Sequence, residues 1–424
     1  MSSDAPLRAA PLAALLAACA PTPDLHPTFG DAGLLAHGTP LSPDARAQLR
    51  GVYRVDRGAE RFGQTLTVDT RAGSVSLFGS PGAIYAVTDA ACLDGGARLV
   101  LEGAWRVATD SIAGLARLDV GPPEAARALC EGRPTAETLT LTGSWGNGAV
   151  LPDAPLVIQR ERPLAPVAGR FLVVAHRGGC RTLDDCGASE NSVAVVRRAE
   201  SLGANAIEVD VQLTADGVPL VYHDDAFSPR LVQGAYCTGP VRNFTLAHVR
   251  TLCALRRGEP VPTLASLLDA AVRETTLELV WLDLKDPEAV LPAMRVARAA
   301  LDLARAAGRS VEVLVGLPDE DIERAYLAAR ATVDVPCLAE PSLDVARRAG
   351  CTVWAPRWTL GPQSDLVRQA QAEGRRVIPW TLDEPAYIDL FLGSAARPNG
   401  LLTNRPGLVL HHDQTGPARR VPSP

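Results

Sequence analysis

The sequence predicts an α/β chain: a (β/α)8 barrel preceded by a smaller β-rich domain, an antiparallel barrel or sandwich. Three observations predict it. The 424 residues exceed one ordinary domain. From about residue 46 to 162 the pattern is short alternating strands broken by Gly, Asp and Pro. From 163 to about 415 apolar strands alternate with amphipathic helices.

In the first of these regions the strand candidates are LRGVYRV, QTLTVDT, VSLFGS, AIYAVTD, ARLVLEGAWRV, LARLDV, TLTLTGSW and PLVIQRE, with one helix at PPEAARALC. Thr, Val and Tyr alternate with small or polar residues, the pattern of half-buried strands. No chemistry-bearing cluster occurs there, so the region reads as an accessory domain. In the second region the strands are FLVVAHR, AIEVDVQLT, LELVWLDLK, VEVLVGL, VPCLAE, TVWAP, RVIPWTL and GLLTN. Helices such as NSVAVVRRAESLG, TLASLLDAAVRE and DEDIERAYLAAR lie between them. Eight such units close a barrel. VPLVYHD is a ninth candidate, separated from AIEVDVQLT by only three residues, too few for a parallel crossover. It is therefore expected as a hairpin partner of that strand.

Residues 1–45 are expected to be a leader and a Pro-rich linker. Residues 9–18 (AAPLAALLAA) follow Arg8 and end in Leu16-Ala17-Ala18-Cys19, which resembles a bacterial lipobox. Cys19 is then the lipidation site of an exported, membrane-anchored protein, periplasmic or cell-surface. The remaining eight cysteines fall into sequence-adjacent couples, 92/130, 180/186, 237/253 and 337/351. No C-x-x-C spacing occurs, so disulfides in an oxidising compartment fit better than zinc. Spacing alone does not fix their connectivity. The net charge of −6 gives no sign of a nucleic-acid partner.

The barrel strands carry polar residues at their C-terminal ends, where such barrels keep their sites. Those ends hold His176 and Arg177, then Glu208 and Asp210, then Asp283 and Lys285, then Trp380. Residues i and i+2 of a strand share a face, so Glu208 points with Asp210 and Asp283 with Lys285. Three carboxylates suit one hard divalent cation, Mg²⁺ or Ca²⁺. Arg177 and Lys285 suit a phosphate group. His176 and His223 suit general base and general acid. Glu190 is read as a support for this set or a cap on the following helix. His26, His37, His248, His411 and His412 fall outside it.

The run HRGG…ENS…GANAIEVDVQLTADGVPLVYHDD resembles the glycerophosphodiester phosphodiesterase family. VPTLASLLDAA, VWLDLKDP, RVIPWTLDEP and GLLTNRPGLV follow in the family's order, so the resemblance covers about residues 170–410. It implies a metal-dependent hydrolase that releases sn-glycerol 3-phosphate and an alcohol. His176 and His223 become the catalytic pair, Glu208, Asp210 and Asp283 the metal ligands, Arg177 and Lys285 the phosphate contacts, and Trp380 the packing surface for the alcohol. Asp283 stands where the family usually has Glu, Ser189 where it often has Pro, and Asn404 where TDRP is usual. Two alternatives stay open: phospholipase D-like cleavage of lysophospholipid or sphingomyelin head groups, and a non-enzymatic surface binding protein. The small-molecule substrate is thus a glycerophosphodiester or a lysophospholipid.

Overall fold

A computed structural model describes residues 26–135, 138–164 and 171–416. The segment with Cys19 lies outside the described residues. Eight strands build the first domain: β1 (Gly51–Arg57), β2 (Thr65–Asp69), β3 (Val75–Phe78), β4 (Tyr85–Leu93), β5 (Arg98–Arg106), β6 (Ala113–Gly121), β7 (Thr140–Asn147) and β8 (Ala154–Arg162). Each pairs antiparallel with the next, and β8 pairs back onto β1. The domain is therefore a closed up-and-down barrel, the first of the two expected forms, and closure leaves no sheet edge in this ring.

Its interior is packed with side chains. Phe62, Trp105 and Trp145 meet edge to face at centroid distances of 5.5–5.7 Å. The Arg61 guanidinium lies 5.3 and 5.5 Å from the two indole rings. Tyr53 and Leu66 are buried in the same cluster. Such filling suits an accessory domain better than a ligand-binding barrel.

One expectation fails here. From residue 26 onward the presumed linker is folded onto the barrel. Glu102 accepts hydrogen bonds from the Leu34 and Leu35 backbone amides at 2.7 and 3.3 Å. Thr39–Pro40 pairs antiparallel with Cys92 and Ala91 of β4. Leu41, Ala45 and Leu49 are buried. The buried Glu102 carboxylate needs donors, and this segment supplies them.

The second domain contains β9 (Leu172–Ala175), β10 (Ala206–Leu213), β11 (Pro219–Val221), β12 (Leu279–Leu284), β13 (Glu312–Leu317), β14 (Cys337–Ala339), β15 (Val353–Trp354), β16 (Arg376–Val377) and β17 (Gly400–Thr403). Eight run parallel in the order β16-β15-β14-β13-β12-β10-β9-β17. Asn399 N and Leu402 N donate to Val377 O and Pro379 O at 2.8 and 3.0 Å and bring the two ends of this sheet together into a nearly closed barrel. β11 pairs antiparallel with β10, Val211 opposite Val221, as the short connection requires. Leu172, Val174, Leu279, Trp281, Leu314, Leu338 and Leu402 form one core cluster; Ile207, Val209, Val280 and Leu282 belong to another shared with the helices. Strands apolar on both faces are what a helix-covered parallel sheet demands.

All four cysteine couples are disulfides: Cys92–Cys130, Cys180–Cys186, Cys237–Cys253 and Cys337–Cys351. The two domains are packed together. Helix Pro406–Thr415 carries His411, whose Nδ1 is 3.1 Å from Thr67 Oγ1, and His412, whose Nε2 is 3.1 Å from Ser80 Oγ. Phe78 of β3 packs with Phe171, Ile388 and Leu408 of the second barrel.

Candidate active site

Strand pairing sets the geometry. β10 and β12 run parallel in a register that puts Asp210 beside Asp283, and Glu208 lies one pleat back on the same face. One oxygen from each of Glu208, Asp210 and Asp283 lies within 4.8 Å of the others. Glu208 Oε1 is buried and has no hydrogen-bond partner, while Oε2 accepts the Arg177 backbone amide at 2.8 Å. A buried, uncompensated carboxylate oxygen beside two others is costly unless a cation completes it. The donor set is all oxygen and fits a hard divalent ion.

Charge has been arranged around this trio. Burial, with Asp210 and Asp283 alongside, pushes the Glu208 carboxyl well above the usual carboxylate range. Burial acts upward on Asp210 as well, but neighbouring cations led by Lys285 outweigh it and hold the group at about 2. Lys285 Nζ reaches Asp210 Oδ1 at 2.9 Å and Asp283 Oδ2 at 2.5 Å. Burial works against its charge, yet these two carboxylates raise the ammonium above its ordinary value. Asn191 Nδ2 donates to Asp210 Oδ2 at 2.7 Å and fixes the carboxylate from the other side.

The two histidines are each oriented by a partner. Asn404 donates through Nδ2 to Asp383 Oδ2 at 2.6 Å, so its carbonyl oxygen faces His176 Nδ1 at 2.7 Å. That oxygen can only accept, so Nδ1 carries the proton and Nε2 keeps its lone pair. Burial depresses the pKa of His176. His223 Nδ1 lies 2.8 Å from Asp224 Oδ1, and Asp224 is held in turn by Arg230. Nδ1 is therefore the donor here too.

His176, Arg177, His223, Asp283, Lys285 and Trp380 line one cavity of about 540 Å³. Glu208 and Asp210 are buried close by: Glu208 Oε2 is 3.7 Å from His176 Nε2, and Lys285 contacts Asp210. Trp380 donates from Nε1 to Ala355 O at 2.8 Å, and the Arg357 guanidinium lies 4.9 Å from its ring centroid. Arg177 Nη1 donates to Glu190 Oε1 at 2.6 Å. Glu190 Oε2 also accepts the Thr182 amide at 2.6 Å, whereas Ser192 caps the following helix. Of the two roles read for Glu190, support of Arg177 is the one this geometry carries.

Sequence reasoning missed Asn191, Asp224, Asp383 and Glu340, and it noted Asn404 only as a departure from the family motif. Glu340 follows β14 and lines the same cavity, with its Oε1 buried and unpartnered. Asp224, Glu340, Asp383 and Asn404 follow strands, which was the signal available, whereas Asn191 lies at the end of a long loop just before a helix. Their partners come from distant strands, so spacing could not name them.

Residues 176–331 match the model of the glycerophosphoryl diester phosphodiesterase family. The second barrel belongs to that family. It is a phosphoric diester hydrolase. A glycerophosphodiester phosphodiesterase of Caldanaerobacter subterraneus subsp. tengcongensis is 25% identical over 251 residues, covering 57% of this chain and 97% of its own. Human glycerophosphodiester phosphodiesterase 1 is 30% identical over 125 residues, 27% of this chain and 35% of its own. A crystal structure of a glycerophosphodiester phosphodiesterase from Parabacteroides distasonis aligns with a TM-score of 0.46 at 23% identity, covering 57% of this chain and 98% of that one.

Proposed function

We propose that this family member hydrolyses glycerophosphodiesters to sn-glycerol 3-phosphate and an alcohol, with one divalent cation, Mg²⁺ or Ca²⁺, as cofactor. The observation that carries the reading is a cluster of three carboxylates, one of them lining a cavity that two oriented imidazoles also line. Glu208, Asp210 and Asp283 would hold the ion. When bound, it would polarise a phosphoryl oxygen and offset charge gained in the transition state.

The chain's own groups do the rest. Lys285 has three N–H donors and spends one on a hydrogen bond to Asp283, while Asp210 is its ion-pair partner, so donor capacity is left for a phosphate oxygen. Arg177, turned by Glu190, adds positive charge beside Asp210. His176 Nε2 accepts the proton of the attacking hydroxyl. Water as the attacker gives sn-glycerol 3-phosphate directly. The hydroxyl on the substrate's neighbouring carbon gives a cyclic phosphate, which water then opens to sn-glycerol 3-phosphate. His223 delivers a proton to the departing alcohol oxygen. Trp380 gives that alcohol an apolar wall.

Purified protein is expected to release sn-glycerol 3-phosphate from glycerophosphocholine with Mg²⁺ or Ca²⁺ present, and EDTA should stop the release. Absence of turnover on every glycerophosphodiester tried with either ion would sink the reading. Lysophosphatidylcholine run in parallel separates it from phospholipase D-like action.

A further inference from the structure

The first barrel touches the second at the loop that shapes the active site. Gly179–Asn191 runs from the His176–Arg177 strand end to Asn191. Two of its hydrogen bonds tie it to the site: Glu190 accepts from Arg177, and Asn191 donates to Asp210. Thr182 N donates to Glu190 within the loop and holds that carboxylate in place. Arg177, Asp185 and Asn191 have φ of +55°, +48° and +58°, a region that residues other than glycine hold only when their surroundings enforce it. The Cys180–Cys186 disulfide closes part of the loop.

The second barrel holds the loop at Ser189, whose N and Oγ donate to Glu259 at 2.9 and 2.7 Å, and a further grip comes from the other domain. At the ends of β4 and β5, Tyr85 and Arg106 sit opposite each other. Strand alternation sends Trp105 into the first barrel's core and Arg106 out of it. Tyr85 packs against the cluster of Cys180, Cys186 and Ala188. The Arg106 side chain is only 6% exposed, and its Nη1 lies 3.7 Å from Asp185 Oδ2. Its Nε and Nη1 donate no hydrogen bond. A buried guanidinium with so few partners depends on the carboxylate that faces it. Asp185 Oδ1 is bound on its other side by Arg257 of the second barrel. Asp185 therefore joins a cation of each domain across the seam.

We propose that the first barrel is a brace for the catalytic loop, and that Arg106 is a positioning residue acting through Asp185 on Arg177 and Asp210. The brace gives the accessory domain a part in catalysis without any contact with substrate. Its effect on turnover rests on the hydrolase reading; its effect on the loop does not.

The test compares the full chain with Arg106→Met, Arg106→Lys and Asp185→Asn, the last keeping a side chain that tolerates positive φ. Amide exchange of residues 180–190 and steady-state kinetics on glycerophosphocholine are both measured. In Arg106→Met, loop exchange is expected to quicken and kcat to fall about tenfold with KM nearly constant. Arg106→Lys should recover most of both, and Asp185→Asn should reproduce the loss if Arg106→Met fails to fold. Wild-type exchange in Arg106→Met and Asp185→Asn overturns the brace. Faster exchange with unchanged kcat overturns the positioning role. If the wild type hydrolyses nothing, the hydrolase reading fails and the exchange measurement alone decides the brace.

Discussion

His176 shows how an active-site residue can be half legible. Its place after FLVVA and its family context mark it from sequence, and so do the i, i+2 pairs Glu208/Asp210 and Asp283/Lys285. What aims the imidazole was not legible: Asn404 follows β17, and the Asp383 that turns its amide follows β16. The two meet His176 only because the barrel curls round on itself. If Asn404 sets the tautomer and direction of His176, Asn404→Ala should lower kcat by about a hundredfold with little change in KM, because lost orientation is paid mainly in the chemical step. Steady-state kinetics decide it, and an unchanged kcat would show that packing alone orients the ring.

Element by element, the strands were readable because their apolar pattern is local. The segment after residue 26 was misread as a linker because what fixes it, Glu102 and the flank of β4, lies some sixty residues away in sequence. Gly407 presents the same difficulty inside helix Pro406–Thr415, which the sequence pattern did not mark. A Cβ built there would stand 2.2 Å from Phe78 Cδ1, so helix Pro406–Thr415 can lie on β3 only with glycine at that point. Gly407→Ala is expected to destabilise the protein by about 1–3 kcal/mol, the usual cost of overpacking a full interior. Pairing it with Phe78→Leu should return part of the loss, because the two sites share one contact. Denaturant midpoints of the two single variants and the double would check this, and strict additivity would count against the contact.

At the scale of the whole molecule, the seam joins the domains through groups whose sequence context gave them no role. His411 and His412 lay outside every motif, yet His411 is buried at the seam with Nδ1 on Thr67. Burial, with His412 close by, lowers its pKa from 6.5 to about 3. Between those values the unfolded chain binds a proton there and the folded chain does not. The stability it confers is therefore complete above pH 6.5, and falls with pH until the folded group itself titrates near 3. The slope is about 1.4 kcal/mol per pH unit, so near pH 4.5 the loss from this one histidine is about 3 kcal/mol. His411→Gln keeps a side chain able to bond Thr67 but removes the titration. Its denaturation midpoint should change less between pH 7 and pH 4.5 than that of the wild type. Equal acid sensitivity in the two proteins would mean that protonation of other groups, and not of this seam histidine, weakens the molecule in acid.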